Sequence, residues 1–214
     1  MSTVFVSATG TDVGKTWVCG ALMSVWPQAR YWKPCQTGPV TMHDGPALVR
    51  QWGIGPERIH EVGYRFEEPA SPHYAAALEE RPCDLEPMMQ WAQTRPPAER
   101  WVVEGAGGLM VPLNSFQLVV DLPYAMKWPV LLVASTKLGG INETLLSLEA
   151  MHRRKLRVLG VVSIGEPCPS FESALNSFAP GKHLMHIEHF EEPYASTAQA
   201  VSRQLAAVVE EELS

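Results

Sequence analysis

The sequence lacks any pair of cysteines at redox or metal-ligating spacing: Cys19, Cys35, Cys83 and Cys168 are scattered and form no C-x-x-C. That excludes a disulfide framework and a zinc knuckle, and predicts free thiols in a reducing compartment. It also lacks an uninterrupted stretch of about 18 apolar residues, and a basic N-terminal region leading into a signal-length apolar core. A cytoplasmic protein with no membrane association is expected. Positive charge is scarce, with six lysines and a formal net charge of −6. A surface that displaces counterions from nucleic acid is therefore not expected. No internal repeat and no low-complexity segment stands out.

What is present is an ordinary globular composition, 46% hydrophobic and 19% charged over 214 residues, which predicts a single domain over 1–214. Apolar, β-rich runs occur at Val4 to Val6, Tyr31 to Trp32, Trp101 to Val103, Val130 to Ala134 and Val158 to Ser163. Helix-compatible stretches alternate with them at Lys15 to Trp26, Pro46 to Trp52, Leu85 to Thr94, Asn142 to Arg153, Ser170 to Ser177 and Ala195 to Glu211. Asp84 and Asn142 are expected N-caps. Nearly continuous apolar strands are those covered on both faces. The prediction is an α/β fold, doubly wound, with a mostly parallel sheet and helices on both faces. Proline-rich patches at Pro69 to Pro72, Pro96-Pro97 and Pro167 to Pro169 read as loops.

Ligands on such sheets bind beyond the carboxyl ends of the strands. After the first strand comes Ala8-Thr9-Gly10-Thr11-Asp12-Val13-Gly14-Lys15-Thr16, a near match to the phosphate-binding P-loop in a strand-to-helix context. Backbone N–H groups of such a loop face the phosphates, the lysine meets the outer ones and the hydroxyl holds Mg²⁺. Lys15 and Thr16 take those roles here. Ala8 stands where the pattern has glycine, and fits if its φ stays negative. After the second strand, Lys33 is placed to reach the γ-phosphate and Thr37 a substrate oxygen. After the third, Glu104 precedes Gly105, Ala106, Gly107 and Gly108, an acid suited to Mg²⁺ opposite Thr16. Asp44 reads by itself as an N-cap. Lys137 to Asn142 form another glycine-bearing turn into a helix. His183, His186 and His189 recur every third residue, which does not fit strand alternation, and no cysteine supports a metal site there. Trp17, Trp26, Trp32, Trp52, Trp91, Trp101 and Trp128 read as core or subunit-contact aromatics.

In this order the elements resemble the dethiobiotin synthetase family, P-loop NTPase-like enzymes of biotin biosynthesis. The resemblance is carried by Thr9 to Thr16, Tyr31 to Gly38, Glu68 to His73, Val103 to Gly108 with Pro112-Leu113, and Lys137 to Asn142. It covers the chain to about residue 145. It implies ATP-dependent closure of a ureido ring on 7,8-diaminononanoate with CO₂, through a carbamate and a carbamic-phosphoric anhydride, in a Mg²⁺-dependent homodimer. By the same resemblance Lys15, Lys33 and Thr11 are catalytic, and Thr16, Asp44 and Glu104 hold metal. Asp12, Val13, Gly14, Lys15, Thr16, Glu104, Gly105 and Gly107 bind nucleotide. Thr11, Lys33, Thr37, Lys137, Leu138 and Asn142 bind the substrate, the last three offered by the partner subunit.

The chain departs from that family where the base is read. Ser163-Ile164-Gly165 replaces a segment that often carries asparagine, and His186-Ile187-Glu188 replaces Gly-x-Ile-Pro. Isoleucine cannot hydrogen-bond a base, which leaves the choice of nucleotide base open. The alternatives are an ATP-dependent ligase with another substrate, a partitioning-type switch ATPase, and a catalytically lapsed homologue. The switch ATPases carry an extra lysine early in the loop, where this chain has Gly10.

Overall fold

The computed structural model describes residues 3–60, 63–96, 99–188 and 196–214. Its centre is a seven-stranded sheet in which every adjacent pair is parallel. In chain order the elements are β1 (Thr3–Ala8), α1 (Lys15–Val25), β2 (Ala29–Trp32), β3 (Cys35–Thr37), α2 (Asp44–Trp52), β4 (Ile59–His60) and β5 (Tyr64–Phe66). They continue with α3 (Pro72–Leu78), α4 (Leu85–Thr94), β6 (Arg100–Glu104), α5 (Asp121–Met126), β7 (Val130–Ser135), α6 (Gly140–Arg153), β8 (Val158–Ile164), α7 (Pro169–Phe178), β9 (His183–Ile187) and α8 (Ser196–Leu213).

The strand order is β4-β2-β6-β1-β7-β8-β9, with β3 and β5 forming a separate parallel pair. The chain winds from β1 to one side through β2, β4 and β6, then crosses to the other through β7, β8 and β9. The switch point is therefore at β1, and the crevice beyond its carboxyl end is where a ligand fits.

Alternation along the apolar strands feeds two cores. Val4, Val6 and Ala8 of β1, with Leu131 and Val133 of β7, face α1, α2 and α8, where Val18, Leu22, Leu48 and Leu205 meet them. Phe5, Leu132 and Ala134 face the opposite layer with Leu85, Leu122, Met151 and Phe171 from α4 to α7. Arg58 ties the layers at the lower edge: its guanidinium donates to the carbonyls of Ala29, Met23 and Trp26 at 2.9, 2.8 and 2.7 Å. Trp32, Trp91, Trp101 and Trp128 surround the Arg95 guanidinium at 4.4–5.4 Å from the ring centroids. Burial there lowers the guanidinium pKa to about 10. These rings are a cation-filled piece of core.

Several short elements depart from the sequence-based expectation. β3, β4 and β5 have two or three residues each, too short to show a period. Pro72 and Pro169 open α3 and α7 at first-turn positions, which need no N–H, so these prolines belong to helices. α2 begins at Asp44, ahead of Pro46. Asn142 is not an N-cap: α6 starts at Gly140, with left-handed Gly139 at its cap. Asp84 does occupy the cap of α4, but its side chain accepts from Asn114 and makes no capping bond.

His183 and His186 lie on β9, where Val161 pairs with His183 but Val162 with Met185, skipping Leu184. That bulge places both rings on Ser163, whose Oγ is 2.9 Å from His183 Nε2 and 3.0 Å from His186 Nδ1. A bulge is how a three-residue spacing shares one face of a strand. His189 and the start of the last helix at Ala195 lie outside the described residues, as does Pro97.

Candidate active site

The phosphate-loop segment runs from the end of β1 to the start of α1. Ala8 is the last residue of the strand and is not among the positive-φ positions, so the missing glycine introduces no strain. The left-handed positions are Asp12 at 56° and Gly14 at 107°. A Cβ at Gly14 would also stand 2.6 Å from Ile164 Cδ1, a terminal methyl that can turn aside, so the positive φ is the stronger reason for glycine here. Residues 105–111 brace the loop from the side: Gly105 N–H donates to Val6 O at 3.0 Å and Leu109 N–H to Ala8 O at 3.1 Å. No side chain caps α1, so its first N–H groups remain available at the loop.

Four charged side chains and one hydroxyl converge here from α1, the β2 end, α2 and the β6 end. Thr16 Oγ1 is 2.7 Å from Asp44 Oδ1 and 3.0 Å from Glu104 Oε1. Lys33 Nζ contacts Asp44 Oδ2 and lies 3.1 Å from Glu104 Oε1. Lys15 folds back so that Nζ donates to Gly10 O at 3.0 Å. Glu104 is fully buried, and its second oxygen, Oε2, accepts from the Tyr31 hydroxyl at 2.8 Å.

The electrostatics follow from that crowding. Burial alone would lower the Lys33 ammonium, but the Glu104 and Asp44 carboxylates outweigh it and hold its pKa above the ordinary value. Burial would raise Asp44; Lys33, Thr16 and Lys15 reverse the sign and hold it below the usual carboxylate range. Lys15 is lowered, chiefly by burial, with Lys33 adding to the effect. Tyr31 is pushed well up by burial and by the charge of Glu104, so it stays a donor. Burial and Glu104 likewise push up the Cys19 thiol behind it.

An open cleft of about 670 Å³ lies over this cluster. Of the predicted site residues, Thr11, Asp12, Gly14, Lys15, Thr16, Lys33, Thr37, Asp44, Glu104 and Gly107 line it. Val13 instead packs toward the α1-side core, and Gly105 lies behind the wall, where a Cβ would stand 3.1 Å from Phe5 and Val119. Lys137, Leu138 and Asn142 are exposed at the start of α6 and do not reach the cleft within one chain.

Sequence reasoning missed Tyr31, Gln36 and the apolar wall. Gln36 Oε1 accepts from the Asp44 N–H at 3.1 Å, which fixes the start of α2 and hence the carboxylate. Met42, Pro69, Ala70, Pro72 and Val111 give the cleft a side suited to an aliphatic chain. Tyr31 could have been found, because it stands two residues before Lys33 and a strand period of two puts both on one face. Gln36 offers no such signal.

Oxygen donors from Thr16, Asp44 and Glu104, an electropositive loop at a helix start, and a crevice at the switch point define a P-loop NTPase of the doubly wound class. Solved structures of this class share the fold. A plasmid partition protein from Borrelia burgdorferi superposes with a TM-score of 0.66 over 99% of this chain and 98% of its own, at 6% identity. The cell division ATPase MinD of Pyrococcus furiosus gives 0.61 over 99% of each chain, at 13% identity. A family model described as an AAA domain matches residues 2–197.

Sequence relatives narrow the class. The ATP-dependent dethiobiotin synthetase BioD of Paramagnetospirillum magneticum is 40% identical over 88% of both chains, and that of Afipia carboxidovorans 42% over 86% of both. In Bordetella avium the bifunctional biotin biosynthesis protein BioCD is 40% identical over 94% of this chain, which spans 43% of that longer protein. The chain belongs to the ATP-dependent dethiobiotin synthetase family.

Proposed function

We propose that this chain closes the ureido ring of dethiobiotin on 7,8-diaminononanoate, using CO₂ and ATP, as a Mg²⁺-dependent homodimer in the cytoplasm. The observation that carries the reading is the cluster of Lys15, Thr16, Lys33, Asp44 and Glu104 in one cleft of a chain about 40% identical to synthetases of that name. Among the described residues no helix is long and apolar enough to cross a membrane.

The donor set suits a hard divalent cation: the Thr16 hydroxyl has a carboxylate oxygen of Asp44 at 2.7 Å and one of Glu104 at 3.0 Å, and the Lys33 ammonium balances their charge. When bound, Mg²⁺ neutralises charge on the β- and γ-phosphates. The chain's own groups supply the rest. Backbone N–H groups of 10–15 hold the phosphates, and Lys15 leaves Gly10 O for the outer ones. Lys33 turns from the carboxylates toward the γ-phosphoryl group and stabilises its charge as it transfers. Thr11 and Thr37 orient the carbamate, whose oxygen attacks the γ-phosphorus in line. The second amine then displaces phosphate from the mixed anhydride. The aliphatic chain lies along Met42, Pro69 and Val111. The partner subunit brings Lys137, Leu138 and Asn142 to the site, a reading supported by the family resemblance of this segment and by the exposure of all three outside the cleft of one chain.

Inorganic phosphate release from Mg-ATP and bicarbonate, with and without 7,8-diaminononanoate, tests the reading, with product mass measured in the same samples. Diamine-dependent release with the ureido product's mass is expected. No diamine dependence with ATP, CTP or GTP would sink the assignment.

A further inference from the structure

We propose that Tyr31 is a positioning residue that decides how Glu104 meets a divalent cation, and thereby favours Mg²⁺ over Ca²⁺. The proposal rests on the reading of Thr16, Asp44 and Glu104 as the cation site. Tyr31 is 1% exposed and fixed in register, since β2 pairs with β6 and Tyr31 stands beside Val102. Its hydroxyl takes Glu104 Oε2 at 2.8 Å. The other oxygen, Oε1, faces Thr16 Oγ1 at 3.0 Å and Lys33 Nζ at 3.1 Å.

Glu104 is 0% exposed, so water does not compete for either oxygen. Turning the carboxylate to offer both oxygens to the cleft would break the Tyr31 bond and leave a buried phenol without its acceptor. A buried donor left unmade is costly, so the single-oxygen presentation is held. That geometry discriminates between cations. Ca²⁺ readily takes a carboxylate through both oxygens in a wide, flexible shell, whereas Mg²⁺ demands a tight octahedron with one oxygen per ligand. Tyr31 thus acts on the cation through Glu104 and touches neither cation nor substrate itself.

Tyr31→Phe keeps the ring and removes only the hydroxyl. Mg²⁺ and Ca²⁺ are titrated by calorimetry into wild type and variant with a non-hydrolysable ATP analogue bound, and the analogue alone is titrated without metal. The expected result is a Mg²⁺ affinity lower by about tenfold, an unchanged or tighter Ca²⁺ affinity, and unchanged metal-free binding of the analogue. Because the readout is a ratio within one variant, loosening of the core that weakens both cations alike counts against the proposal, as does no change in either. Glu104→Gln is measured in parallel: wild-type Mg²⁺ affinity there overturns the cation-site reading itself, whatever Tyr31→Phe does. In the Tyr31→Phe, Glu104→Gln double variant no further loss beyond Glu104→Gln is expected, and an additive loss overturns action through Glu104.

Discussion

Lys33 has two charges to answer to. In the free protein it neutralises two carboxylates, one of them fully buried, and in the proposed reaction it must serve the γ-phosphoryl group instead. Lys33→Met should therefore lower kcat by about 10²-fold or more with ATP affinity little changed, read by single-turnover phosphate release beside equilibrium binding. The same variant should destabilise the metal-free fold by about 3 kcal/mol, because Asp44 and Glu104 lose the ammonium that contacts both of them, while Lys15 acts on them only from its place on Gly10 O. Mg²⁺ should then raise its melting temperature more than it raises that of wild type. Asp44 has a folded-state pKa below its unfolded one, so its contribution is complete above about pH 4 and is lost as pH falls through the depressed value. The stability gap between wild type and Lys33→Met should narrow as urea midpoints are followed from pH 7 to below pH 4.

Elements show where such residues come from and where the sequence stops being informative. Gly14→Ala combines a φ of 107° with a Cβ 2.6 Å from Ile164, so ATP affinity should fall by more than tenfold, on the order of the 1–3 kcal/mol that a strained backbone position costs. On β9 the bulge at Leu184 brings His183 against Ser163 and the Phe171 ring. Burial lowers the His183 pKa. A histidine whose folded pKa is below its unfolded one costs stability as pH falls below about 6.5. An NMR titration should place its midpoint below that value. The long elements were legible: β1, β6, β7 and β8 are apolar on both faces, and α4 runs over the predicted Leu85–Thr94. β3, β4 and β5 were not, because their pairing depends on partners distant in sequence and too few residues reveal a period. β9 was hidden by its bulge, which breaks the alternation that marks a strand. The phosphate loop, Lys33 and Glu104 were readable because each follows a strand at the ligand-binding end. Asp44 needed family resemblance, since an aspartate before a helix looks like a cap until the fold sets it beside Thr16.

At the scale of the whole molecule, stability and assembly depend on contacts far apart in the chain. Arg58 joins the α1–β2 turn to the edge of the sheet through three carbonyls. Arg58→Ala should cost about 2–3 kcal/mol, visible by calorimetry as a melting temperature about 5–10 °C lower for a domain of this size. The proposed dimer makes a different prediction. If Lys15 and Lys137 act in one site from different subunits, Lys15→Ala and Lys137→Ala homodimers are both impaired. Mixing them under subunit exchange should restore activity toward about a quarter of wild type, since one site of each heterodimer is intact. No recovery above the separate variants would place both residues in the same chain's site. Ile164 draws these scales together. It belongs to the core shared with α1 and α8, and it is also the surface on which Gly14 rests. A substitution at 164 therefore acts in two places at once, on the packing of β8 against α1 and α8 and on the seat of the phosphate loop at Gly14. The end of β8 and the start of α1 thus share one side chain as their common boundary, so that a change of shape in the core is delivered directly to the turn that opens the phosphate-binding helix.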